Sequence, residues 1–120
     1  MKRLSEAECQ RTIVEAAKRG GWRVHAERTS LTQSGRYATA IQGDAGWPDL
    51  VLAHSERGLY FVELKRKPNK LTDDQHKWRD VLNGAAAYAG YDTPIHGSEM
   101  AQVWWMPEEL DTRVQWLVNA

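Results

Sequence analysis

The chain has 120 residues, 42% of them hydrophobic and 27% charged, enough for one modest core and read as a single domain over 1–120. No apolar run is long enough to span a bilayer, and Met1-Lys2-Arg3 leads into a charged helix rather than a signal-peptide core, so a soluble, intracellular protein with no membrane partner is expected. The single cysteine, Cys9, excludes an intrachain disulfide and any Cys/His zinc spacing, and sixteen basic against sixteen acidic residues counts mildly against a nucleic-acid binder.

Ser5-Glu6-Ala7-Glu8 predicts a capping box that opens a helix, and Gly20-Gly21 stops it. Glu6, Gln10, Ile13 and Ala17 share one face of that helix, polar at its start and apolar further on. Residues 22–28 read as a strand, 29–35 as a polar turn and 37–42 as a second strand. After Gly43-Asp44-Ala45-Gly46 a third strand, 48–53, opens with Pro48, a position the ladder tolerates. A turn leads to the fourth, 59–65, where Leu59, Phe61, Glu63 and Lys65 face one way and Tyr60, Val62 and Leu64 the other. Apolar residues on both faces mean cover on both faces. Thr72-Asp73-Asp74-Gln75 is a second capping box, and Gln75, Trp78, Val81, Leu82 and Ala85 of its helix are predicted to meet the sheet. Residues 91–98 read as a loop and 101–106 as a fifth strand. Pro107 opens a last helix, 108–118, burying Leu110, Val114, Leu117 and Val118. The expected fold is α/β, with a mixed sheet of about five strands flanked by helices on both faces.

Two segments carry the chemistry: Gly46-Trp47-Pro48-Asp49-Leu50 and Val62-Glu63-Leu64-Lys65. They bring two carboxylates and one ammonium toward a covered sheet, where such groups are rare unless paired or bound to a metal. Phosphodiester hydrolysis needs a cation to neutralise the phosphate and activate water, and a positioned positive charge for the transition state. Mg²⁺ needs only one or two carboxylates besides water and substrate oxygens. Asp49 and Glu63 supply those carboxylates if their strands are neighbours, with the Leu64 carbonyl as a further ligand and Lys65 beside the metal to orient water. Lys65, Arg66, Lys67 and Lys70 also form a basic run suited to phosphates, whose plainer reading is a solvated loop. The other bland readings are an exposed ion pair for Glu63 and Lys65, a turn end for Asp49 and a cap for Gln75, though cap and site roles use different amide atoms. Trp78, Trp104 and Trp116 read as core. Trp47 would stack on a base or wall the site, and Arg36 would touch a phosphate. His25, His54, His76 and His96 have no metal-like spacing.

Pro-Asp, a variable stretch and Glu-Leu-Lys resemble the signature of the PD-(D/E)XK nucleases. The fuller pattern, Glu6 and Gln10, Gly46-Trp47-Pro48-Asp49, Glu63-Leu64-Lys65 and Gln75, is similar to the VRR-NUC (virus-type replication-repair nuclease) branch and its small stand-alone phage members. The resemblance runs from about Ser5 to Leu82. It implies a restriction-endonuclease-like αβββαβ core with a C-terminal helix. Asp49 and Glu63 would be metal ligands for Mg²⁺ (Mn²⁺ substituting), Lys65 the catalytic lysine and Gln75 a supporting amide. Glu6 would be the helix carboxylate near the metal, directly or through water, with Glu8, Glu15 and Gln10 as alternatives. It further implies a structure-specific endonuclease acting as a homodimer on branched DNA such as four-way junctions, in the cytoplasm, that of a bacterial host if the chain is phage-encoded. Net neutrality points to a dimer as well, since one small subunit has little surface for a branched duplex. The rival functions are a non-catalytic DNA- or junction-binding module and a structural domain whose charges merely pair.

Overall fold

Both capping boxes form, and each fixes where its helix begins. The Ser5 hydroxyl accepts from the Glu8 N–H at 3.1 Å while the Glu8 carboxylate accepts from the Ser5 N–H at 3.3 Å, opening α1, Glu6–Arg19. The same reciprocal pair between Thr72 and Gln75 opens α2, Asp73–Tyr88. The first helix ends at Gly20, where an added Cβ would overlap the Leu117 carbonyl, so only glycine admits this approach of the chain's last helix. The computed structural model describes residues 4–27, 42–90 and 99–119.

Among the described residues four strands make the sheet: β1 (Arg23–Ala26), β2 (Leu50–His54), β3 (Gly58–Lys65) and β4 (Ala101–Trp105), in spatial order β1-β2-β3-β4. The first three are antiparallel neighbours, with Ala26 opposite Leu50 and Leu50 opposite Val62, whereas β4 runs parallel to β3 with Glu63 opposite Val103. The sheet is mixed, as expected. Residues 37–41 of the strand expected at 37–42 lie outside the described residues, and Gln42 is not in a strand. The last helix, α3, spans Leu110–Val118 and completes the order αβββαβα. It starts two residues later than Pro107 suggests. Residues 106–109 form a turn instead, in which the Glu109 carboxylate accepts from the Trp105 N–H at 2.9 Å and from Arg113 at 2.7 Å.

The two faces of the sheet are built differently. Leu50, Leu52, Tyr60, Val62, Leu64 and Trp104 pack with Cys9, Ile13, Ala16 and Ala17 of α1 and with Leu110 and Leu117 of α3 in one apolar cluster. Val114, Trp116 and Val118 lie against it, so the predicted inner side of α3 holds. Arg57, in the β2–β3 turn, donates to the Trp116 and Leu117 carbonyls at 2.5 and 3.0 Å and lies 4.7 Å from the Trp116 ring. That fastens the end of α3 to the hairpin. The opposite face carries α2, none of whose sixteen residues is buried. Its inward row is Gln75, Trp78, Arg79, Leu82, Asn83 and Ala86: Gln75, Trp78 and Leu82 face inward as expected from the sequence, whereas Val81, 64% exposed, and Ala85 do not. Polar partners on β4 and Glu63 turn the helix that way. No helix among the described residues is long and apolar enough to cross a membrane.

Candidate active site

β3 outruns β2, and the site forms in the gap. The last register pair joins Leu50 to Val62, leaving Glu63, Leu64 and Lys65 beyond the end of β2. The Phe61 N–H and Lys65 carbonyl bond the β4 side, at 2.9 Å to Met100 and 2.7 Å to Met106. By alternation, the Leu64 N–H and carbonyl turn the other way, to an edge where β2 has stopped. Asp49, the residue before β2, fills that edge: its Oδ2 accepts from the Leu64 N–H at 2.8 Å. The unmatched backbone donor thus orients the acid.

Glu63 points to the α2 face and is only 8% exposed. Its side chain is hydrogen-bonded to the Asp49 side chain and accepts from the Asp49 backbone N–H. Gln75 completes the arrangement. Its Oε1 accepts from the Thr72 N–H at 2.9 Å, so its Nε2 is the atom free to donate to Glu63 Oε1, at 2.9 Å. The cap therefore dictates the orientation of the amide, and the cap and the bond to Glu63 use different atoms. Gly46 brings the 43–48 loop against this helix end. Its φ is +94°, and a Cβ there would come within 2.6 Å of the Asp74 backbone.

Burial pushes the Glu63 carboxyl up to about 8, with the adjacent Asp49 charge as the next cause and Lys65 opposing both. Burial also raises Asp49, while the Leu64 N–H pulls it down and the Glu6 charge adds to the rise. The buried Glu63 carboxyl and the half-buried Asp49 carboxyl cannot both ionise cheaply side by side, so near neutrality the pair holds a shared proton. A small cavity of about 10 Å³ lies beside Glu63 and Gln75 under α2. A larger groove of about 420 Å³, lined by Asp44, Asp74, Lys77, Trp78 and Val81, is separate and includes neither acid.

Asp49, Glu63, Leu64 and Gln75 therefore come together, and Lys65 lies within charge range of both acids. Glu6 is exposed in the first turn of α1, within charge range of Asp49. Among the alternatives, Glu8 caps its helix, and Gln10 and Glu15 line a groove beside Ala26. Among the described residues no three His, Cys, Asp or Glu side chains gather as a metal-binding group. Trp47 stands edge-on to Phe61 and Trp78, with ring centroids 5.4 and 4.8 Å away, and walls the space between sheet and α2. Arg66 donates to the Leu4 carbonyl at 2.8 Å, tying the basic segment to the start of α1. Lys67 and Lys70 are exposed, Lys67 about 6.0 Å above the Trp105 ring. Arg36 lies outside the described residues. The sequence counts Arg79 only among the basic residues that follow the 65–70 run and gives Asn83 no role, yet Arg79 bonds Glu99 just before β4 and Asn83 bonds Ala101 at its start. Their spacing from Gln75, four and eight residues on, was the available signal.

The model of the VRR-NUC domain family matches residues 5–93, a span holding every member of the acid cluster. No curated protein and no solved structure matches the chain. The family match covers most of the sequence; the αβββα elements under it, with β4 following beyond its end, stand in the order its motifs led us to expect. The chain belongs to the VRR-NUC family, nucleases of the PD-(D/E)XK type that act on DNA.

Proposed function

We propose that residues 1–120 act as one metal-dependent DNA endonuclease domain. The observation that carries this is the hydrogen-bonded Asp49–Glu63 pair at a strand end, Glu63 buried, Asp49 half-buried and each acid fixed by a neutral donor. A shared proton at such a pair is a place that a cation takes over. The donors are hard oxygens, two carboxylates with the Leu64 carbonyl on the same edge, and they fit Mg²⁺ or Mn²⁺ better than a softer metal. Glu6 would add charge from the outer side, through water.

When bound, the cation neutralises phosphate charge and lowers the pKa of the attacking water. The remaining work falls to the protein's own groups. Leu64 N–H and Gln75 Nε2 each hold one oxygen of an acid, so the acids do not rotate as the metal arrives. The Lys65 ammonium, on the Glu63 face of β3, orients the water and stabilises charge developing on the phosphate oxygens. Lys67 and Lys70 grip backbone phosphates beyond the cut, and Trp47 walls the site. A homodimer acting on branched DNA would pair two such sites across a junction.

Incubating the protein with labelled linear, flap and four-way-junction DNA, in Mg²⁺, Mn²⁺ or EDTA, tests this reading. Cutting in metal and none in EDTA is expected, strongest on the junction. Tight, salt-sensitive binding without cutting in any metal would instead establish a binding module. Sedimentation at micromolar concentration showing only monomer would remove the dimer.

A further inference from the structure

The geometry points to Asn83 as a positioning residue that locks α2 to the start of β4 and thereby keeps the Gln75 amide on Glu63. This rests on the nuclease reading above, with Gln75 supporting the acid pair. A helix with no buried residue is weakly held by apolar packing, and no residue of α2 belongs to the apolar cluster. Its first turns are held by the Trp78 ring against Trp47 and by Trp78 Nε1 donating to the Asp44 carbonyl at 3.3 Å. Its second half is held by polar bonds. The Asn83 amide pairs with the backbone of Ala101 in both directions: Nδ2 donates to its carbonyl at 3.2 Å, and Oδ1 accepts from its N–H at 2.8 Å. The side chain thus stands in for a neighbouring strand at the outer edge of β4. The same Nδ2 donates to Glu99 at 2.8 Å, where Arg79 joins it at 2.9 Å.

Ala101 is opposite Phe61 in the β3 register, two residues before Glu63. The lock consequently ties α2 to the strand that carries the acid. Gln75, Arg79 and Asn83 lie along one line of the helix, and eight residues separate the lock from the amide by about 12 Å. Released at Asn83, the helix is left to tilt about the Trp78–Trp47 contact, so its start moves with its far half, and the 2.9 Å bond from Gln75 to Glu63 is the contact that stretches. Asn83 acts through Gln75 and touches neither substrate nor metal.

A double-variant cycle with Asn83→Ala, Gln75→Ala and both together tests this. Each single change should lower kcat on cleaved DNA by about 10- to 100-fold, in the range for removing an outer-shell partner, with KM nearly unchanged. The double variant should cut no more slowly than Gln75→Ala alone, because the second change acts through a contact already lost. Glu99→Gln, at an exposed position, should give a smaller loss of kcat if Asn83→Ala proves too unstable to assay. In the metal-free protein, hydrogen exchange of α2 amides should quicken in Asn83→Ala while β2 and β3 keep their protection. Multiplying losses in the double variant, an unchanged kcat in Asn83→Ala, or unchanged α2 exchange would each overturn the positioning role. A wild-type protein that cuts no DNA in either metal would sink the nuclease reading instead, and the exchange measurement would still decide the lock.

Discussion

Replacing Glu63 with glutamine removes one ionisable member of the acid pair while keeping the shape of the side chain. The amide can still accept from Gln75 through its oxygen and can donate toward Asp49. In the metal-free wild type, Glu63 holds its proton up to about 8, against an ordinary value of 4.5. Across that window the native state binds a proton that the unfolded chain has released, so stability falls as pH rises. The contribution is full below 4.5 and gone once pH passes about 8. At ~1.36 kcal/mol per pH unit, the gap corresponds to roughly 5 kcal/mol at the limit of complete ionisation. Burial raises Asp49 in the same direction, so it adds to the slope and does not cancel it. The assay is urea unfolding in EDTA from pH 5 to 9, followed by tryptophan fluorescence. Wild type should lose several kcal/mol between pH 5 and 8, and Glu63→Gln should lose much less, becoming the more stable of the two above pH 8. The same variant should lose divalent-metal binding by calorimetry. A wild type whose stability is flat or rises over that range, or a variant less stable than wild type at pH 8.5, would refute the paired-carboxyl argument.

Three further outcomes follow from the same geometry. Lys65→Ala should keep DNA affinity in EDTA but lower the cleavage rate in metal by about 10²–10³-fold, the usual loss when a transition-state charge is removed; a variant cutting at the wild-type rate would remove the lysine from the site. Gly46→Ala places a Cβ at positive φ against the Asp74 backbone, so thermal unfolding should show a loss of about 1–3 kcal/mol together with weaker metal binding. Lys67→Ala and Lys70→Ala should each weaken DNA binding at all sequences and reduce the slope of log affinity against log salt by about 1, measured by fluorescence anisotropy.

The helix starts were legible because a capping box is local: Ser5 with Glu8 and Thr72 with Gln75 carry their own geometry within four residues. The strand with Glu63 and Lys65 on one face was legible for the same reason, since alternation needs no partner. The bond from the Leu64 N–H to Asp49 was not, because it depends on β3 outrunning β2, a matter of register between distant segments. The orientation of α2 was legible in part: Gln75, Trp78 and Leu82 turn inward as read, but Val81 and Ala85 do not, and a general rule misled there. An apolar stripe ordinarily faces a sheet, which favours Val81 and Ala85. Here Glu63 and the open edge of β4 offered hydrogen bonds, and the row Gln75, Arg79 and Asn83 turned inward to meet them.

The family match stops at residue 93, yet the architecture does not. β4 supplies the partner for the outer side of β3, and Trp104, Met106, Leu110 and Leu117 close the apolar cluster that the matched segment only begins. A truncation after 93 would leave the strand bearing Glu63 and Lys65 with a raw flank of unmet amides beside a half-open core. Such a fragment would be an aggregating stub, and the smallest autonomous folding unit has to reach Leu117.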